Sequence, residues 1–193
     1  MKAPRNPKRP VLPPSLLAQI LLPFAIPVAI TLALLLAVGE GWPRNIAPGS
    51  GLKLTGLIAT ALCGMAAWRW ATRQVADGRV RRFAAILITI TALMGWPVWA
   101  VGALPSLNGS SLGTPRQTDV QLVRLDITMP SRGHSGFYHW AWIAPRRATS
   151  PIGAGRVFIP EEAYRKWNAQ RPATVTLRHA NGLLGAEVLT GFD

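Results

Sequence analysis

The chain has 193 residues, a formal net charge of +13 and one cysteine; 49% of its residues are hydrophobic and only 15% charged, with mean hydropathy +0.23. Soluble domains carry about 25% charged residues, so this composition argues against an ordinary soluble domain and for a membrane protein. The placement of the positive charge speaks against nucleic-acid binding, and the lone Cys63 rules out an intramolecular disulfide.

Residues 1–14, MKAPRNPKRPVLPP, are basic and proline-rich without apolar periodicity, and read as a disordered cytoplasmic tail in reach of anionic head groups. The first apolar run, 15–38, is long enough to cross the ~30 Å hydrocarbon core at ~1.5 Å per residue. A cleaved signal peptide also begins with a basic stretch and an apolar run. Its apolar region spans only about 7–15 residues, and here the run is longer and ends in GEGWPRN, so a retained helix is expected. Pro23 and Pro27 inside it predict a kink or a broken backbone hydrogen bond. GEGWPRNIAPGSG, 39–51, reads as an outer loop with Trp42 at interface depth.

The second span, 52–70, carries Gly56, Thr60 and Gly64 at four-residue spacing. Small residues so placed let membrane helices approach closely, either within this chain or against another protein. The loop RWATRQVADGRVRR, 69–82, holds Arg69, Arg73, Arg79, Arg81 and Arg82 against Asp77 alone. Arginines beside membrane-spanning ends stay on the cytoplasmic side, and nine of the 21 basic residues sit in this loop or the N-terminal tail. The third span is 83–104, with Trp96 and Trp99 as an outer aromatic girdle. No Asp, Glu, Arg, Lys or His lies mid-span in any of the three, which argues against a transporter or proton pump acting alone.

Residues 105–117, PSLNGSSLGTPRQ, read as a flexible linker. Beyond it, Val123, Leu125, Ile127 and Met129 alternate with Arg124, Asp126 and Thr128, the period of a half-buried strand. FYHWAWIA, 137–144, reads as the returning strand and RVFI, 156–159, as a third. Pro160-Glu161-Glu162 starts a short helix, 161–168. ATVTLRH, 173–179, and LLGAEVL, 183–189, flank Asn181-Gly182, a strong hairpin signal. The predicted fold is a membrane protein: three transmembrane α-helices followed by a small β-rich (α+β) extramembrane domain, 118–193, with one short helix. The sheet is expected to be twisted or a partly closed barrel.

The run GRVFIPEEAYRKWNAQRPATVTLRHANGLLGAEVL resembles the end of an uncharacterised bacterial membrane-protein family, a domain of unknown function. There a strand ends at a short helix bearing a tyrosine, here Tyr164. A valine-rich strand follows, here Thr174 to Leu177, then a Gly-containing turn, here Gly182 to Gly185. Arg171-Pro172 stands where the family pattern has Gly-Asp. The resemblance implies membrane helices beside a small β-domain and no catalytic residues.

For chemistry, His134, His139 and His179 lack partners at metal-ligand spacing. Ser131, His134 and Asp126 could be drawn as a triad, but no strained turn frames the serine. No catalytic residue, metal or cofactor is expected. The more suggestive surface is Arg132, Tyr138, Trp140, Trp142, Arg146 and Arg147: residue types enriched at protein interfaces, with the aromatics alternating on one strand face. The alternative is that this face is core or rests on lipid head groups. The expected role is a non-catalytic accessory or scaffold subunit of a larger inner-membrane complex, its N-terminus cytoplasmic and its β-domain periplasmic, with membrane lipids and other membrane protein subunits as partners. The competing reading is a periplasmic ligand- or envelope-sensing module.

Overall fold

The computed structural model describes residues 14–38, 45–73, 75–129 and 137–193. The tail before Pro14, Trp42, and the turn holding Ser131, Arg132 and His134 lie outside the described residues. Helix α1 is Pro14–Val38, α2 Leu52–Thr72 and α3 Gly78–Pro97. Asp77 starts α3 by accepting a hydrogen bond from Arg79 N–H at 2.8 Å. That cap offsets Arg79 and Arg81 in the first turn, which oppose the helix dipole. Pro97 cannot donate to the carbonyl one turn back, and the backbone passes into a π-helical stretch, Val98–Ala103, before a last short helix, α4, Leu104–Asn108.

Two helical stretches, Ser15–Ala37 and Gly78–Asn108, are long and apolar enough to cross a membrane, and only 17% and 22% of their most apolar windows are buried. Expected as a third span, α2 has the length but not the composition, because Lys53, Arg69, Thr55, Thr60 and Thr72 dilute its apolar residues. The helices touch through small residues. A Cβ on Gly95 would lie 2.6 Å from the Pro23 carbonyl oxygen, which Pro27, having no N–H, leaves without its helical partner. Thr91 donates to the Ile20 carbonyl at 2.7 Å on the same seam. Despite Pro23 and Pro27, α1 runs unbroken over 25 residues.

The rest of the chain forms a curled antiparallel sheet in the order β3-β2-β1-β4-β5, with β1 Arg116–Thr128, β2 Tyr138–Pro145, β3 Gly155–Ile159, β4 Thr174–Asn181 and β5 Glu187–Phe192. Helix α5, Glu161–Gln170, lies over the inner face, where Ala163 and Trp167 meet Val120, Ile143, Val157 and Leu177. The strand and helix order is the one read from the sequence. Within β1 a bulge between Leu122 and Arg124 shifts the alternation. Val123, expected to share a face with Leu125 and Ile127, is therefore the extra residue and is 63% exposed.

Three other expectations change. The 105–117 linker is not flexible throughout: residues 105–108 continue the helix, and Ser106 and Asn108 are buried. The hairpin signalled at Asn181-Gly182 is present and pairs β4 with β5, but that pair is not itself a two-residue turn. Strand β4 runs on to Asn181, and the turn spans 182–186 with Gly185 at φ 82. The loop after α1 is also part of the sheet. Asn45 accepts from Leu189 N–H at 2.7 Å, and Ala47 N–H donates to the Glu187 carbonyl at 2.8 Å, so the segment adds to the β5 edge. The Asn45 side-chain amide donates to the Phe158 carbonyl of β3 at 2.6 Å, and Gly153 N–H reaches the Pro48 carbonyl at 2.9 Å. The curl brings both sheet edges to one segment, which fills the gap between them.

Helix α5 ends at Arg171, whose φ of 44 is left-handed and whose N–H caps the Trp167 carbonyl. Side chains with a Cβ resist this conformation. Arg171→Gly is expected to raise stability by about 0.5–1 kcal/mol after glycine's larger unfolded-state entropy is subtracted. A thermal melt of the purified protein checks it; an unchanged or lower midpoint would refute it.

Candidate functional site: the aromatic and arginine face of the sheet

Alternation along β2 sends His139, Ala141 and Ile143 inward, where all three are buried, and turns Tyr138, Trp140 and Trp142 outward. The register then sets their neighbours. Thr128, Asp126 and Arg124 of β1 stand opposite Tyr138, Trp140 and Trp142, and Phe158 and Arg156 of β3 stand opposite Trp140 and Trp142. The indole N–H of Trp140 donates to the Thr128 hydroxyl at 2.8 Å, and that of Trp142 to the Asp126 carboxylate at 2.7 Å. Phe158 meets Trp140 and Tyr138 edge-on, with centroids 5.6 and 6.2 Å apart. Each aromatic is thus fixed by a hydrogen bond or an edge contact and is presented rigidly.

Two guanidinium groups cover this ladder. Arg124 lies 4.8 Å from the Trp142 ring centroid and pairs with Asp126 at 3.3 Å; Arg156 stacks on Trp140 at 3.7 Å. The Arg124–Asp126 pair is largely exposed and is worth at most about 1 kcal/mol. Its consequence is electrostatic: Asp126 is neutralised, and no carboxylate among the described residues pairs with Arg156.

The six expected surface residues do not form one patch. Tyr138, Trp140 and Trp142 are together on this face. Arg146 and Arg147, past the end of β2, line a separate cleft of about 420 Å³ with Gln117, Asp119, Thr149 and Ser150. Sequence reading missed Arg156 and Phe158 as members and did not see Arg124 and Asp126 as neighbours of Trp142, because that register depends on the bulge at Val123. The helix row falls elsewhere: a Cβ on Gly56 would lie 3.1 Å from the Ala100 backbone, and one on Gly64 would lie 3.3 Å from the Ala92 side chain. Gly56 and Gly64 therefore serve close packing within the chain, and Thr60 is buried on the same row.

A second polar constellation lies inside the domain. His179, 1% exposed, has Nδ1 2.7 Å from a Glu187 carboxylate oxygen and Nε2 2.9 Å from the Thr118 hydroxyl. A carboxylate only accepts, so Nδ1 carries the proton and Nε2 accepts from Thr118. This is the order of a nucleophile, base and orienting acid. Here it joins β1, β4 and β5 next to the Asn45–Ala47 closure and satisfies every polar atom of the ring. Sequence reading left His179 unpartnered because Thr118 is 61 residues away. Asp126 of the imagined triad is engaged by Trp142 and Arg124, and among the described residues no group of His, Cys, Asp and Glu could hold a metal.

Comparison with known proteins adds no relative: no family model matches the chain, and neither the curated proteins nor the solved structures yield a significant match.

Proposed function

We propose that this chain is a non-catalytic accessory or scaffold subunit of a bacterial inner-membrane complex. In this reading α1 and the long helix from Gly78 cross the bilayer. Helix α2, too polar to qualify by its own composition, crosses packed through Gly56 and Gly64 against the long helix. The arginine loop stays in the cytoplasm, and the sheet stands in the periplasm. The exposed apolar side chains around the helices support it. Leu21, Leu36, Leu62, Ile86, Leu93 and Val101 are all more than half exposed, a belt that water would penalise and lipid accepts. The loop arginines on one side and the sheet at the opposite helix ends agree with the positive-inside rule.

The observation that carries the scaffold role is the rigid joint. Asn108, fully buried at the end of α4, donates to the Ala186 carbonyl at 2.9 Å and accepts from Leu184 N–H at 2.9 Å and Ala186 N–H at 3.3 Å. Its backbone carbonyl takes Leu183 N–H at 2.8 Å. The sheet is therefore held at a fixed height and angle on the helices. That suits a platform presenting Tyr138, Trp142 and Arg124 to a neighbour, and it resists the movement a signal relay needs. The sensing alternative draws on the Arg146/Arg147 cleft, whose two guanidinium groups would take an anion.

Purification of the full chain in mild detergent through a C-terminal tag, followed by mass spectrometry, tests the role. The expected outcome is stoichiometric recovery of a defined set of membrane subunits, lost in Trp142→Ala while the melting profile is retained. Recovery of the protein alone would refute the scaffold reading, and loss of folding in Trp142→Ala would make that residue a structural one. A reporter fused after Asp193 that is active only in the cytoplasm would refute the orientation.

A further inference from the structure

We infer that the crevice where the sheet meets the outer end of the long helix binds the head group of an anionic phospholipid, with Arg156 as the phosphate ligand. This rests on the membrane reading above. The crevice, about 400 Å³, has Ala100, Val101 and Pro105 of the helix on one wall and Trp140, Arg156 and Phe158 of the sheet on the other. Asn45 and Ile46 close one side.

Depth is the first argument. Counting from Arg82, the last arginine of the inner loop, a ~30 Å hydrocarbon core at ~1.5 Å per residue takes about 20 residues. The count ends near Gly102, so Val101, 72% exposed, borders the acyl chains. The sheet wall facing it stands at head-group level, where tryptophan is favoured.

Charge is the second. Stacking on the Trp140 ring fixes the plane of the Arg156 guanidinium and leaves its edge N–H groups free to donate. Arginine presents those donors in a fork that matches two phosphate oxygens. Because Asp126 is occupied by Arg124 and Trp142, nothing among the described residues competes for Arg156. No acid lines the crevice to receive an ammonium group, so a head group with net negative charge, such as phosphatidylglycerol, fits better than a zwitterionic one. The apolar wall beneath accepts an acyl chain running down past Val101. The shape and chemistry are those of a lipid entering from the side.

Native mass spectrometry of the full-length protein released from detergent, with phosphatidylglycerol or phosphatidylcholine added, tests this. We expect one phosphatidylglycerol retained per chain in preference to phosphatidylcholine. Retention should fall at least tenfold in Arg156→Gln and equally in Val101→Trp, which fills the crevice and keeps the arginine. Arg146→Gln, in the separate cleft, removes a positive charge without releasing Asp126 and should retain the lipid. Equal retention in wild type, Arg156→Gln and Val101→Trp, or no preference for phosphatidylglycerol, would overturn the site. Equal competition by inorganic phosphate would also overturn it, by showing an anion site with no lipid component. A protein that stays monodisperse without detergent would instead refute the membrane reading, so the two failures are distinct.

Discussion

Asn108→Leu is expected to detach the sheet from the helices while leaving each one formed. Leucine has the branched outline of asparagine, with bulkier methyl groups in place of the amide, so the change removes hydrogen bonds without opening a cavity. It strands the N–H of Ala186, which is 3% exposed, while the Ala186 carbonyl loses the Asn108 amide and keeps only the bond from Gly182 N–H. Such an orphan costs about 1–3 kcal/mol, so we expect a loss of about 2 kcal/mol, concentrated at the joint. Gly182→Ala should act on the same contact from the other side, because a Cβ there would overlap the Asn108 side-chain amide and its backbone carbonyl. The readout is limited proteolysis in detergent, with new cleavage between residues 109 and 115 in both variants. Proteolysis indistinguishable from wild type would show that the joint is held by something else. On the scaffold proposal, recovery of a partner should fall as well, since the aromatic face would no longer stand at a defined height.

Trp167→Ala should cost more. Trp167 is 1% exposed and is the largest side chain between α5 and the sheet, where it also meets Phe192 edge-on at 6.1 Å. Truncating a buried aromatic costs about 3–5 kcal/mol. Small domains are stable by only about 5–15 kcal/mol, so this variant should lose much of its folded sheet at physiological temperature. Trp167→Phe gives the comparison. The indole N–H of Trp167 is buried without a hydrogen-bond partner. Phenylalanine removes that unpaired donor as well as some volume, and the two effects oppose, so a change below about 1.5 kcal/mol is expected. Near-ultraviolet circular dichroism against temperature separates them. Similar large losses in both would mean that the indole N–H has a partner in solution.

Features carried by local pattern were legible in the sequence. Run length and flanking charge placed the helices, and the Pro160-Glu161-Glu162 start placed α5. Period-two alternation separated Tyr138, Trp140 and Trp142 from His139 and Ala141. What was missed depends on residues far apart in the chain. The bulge at Val123 has no local signature, yet it decides that Arg124 and Asp126 face Trp142 and Trp140. Gly182 looked like a turn glycine because it follows asparagine, and it does open the turn, but its lack of a side chain also serves the approach of Asn108, 74 positions earlier in the numbering. Serine and glycine after Leu104 suggested a flexible tether, but burial against the 182–186 turn orders the helix end.

The closure of the sheet by Asn45–Ala47 fixes an order of events during synthesis. That short piece emerges and is tethered between the first two helices before any strand of the sheet has been made. The β5 edge that it covers leaves the ribosome only after the other four strands. Pairings so distant in sequence form slowly, and an uncovered strand edge invites pairing with other chains. Here the covering piece has already been made when β5 arrives, which shortens the time the edge stays bare. Expressed without the helical hairpin, the sheet would keep that edge exposed, so aggregation of a 116–193 fragment follows from the same feature that lets the intact chain finish its fold.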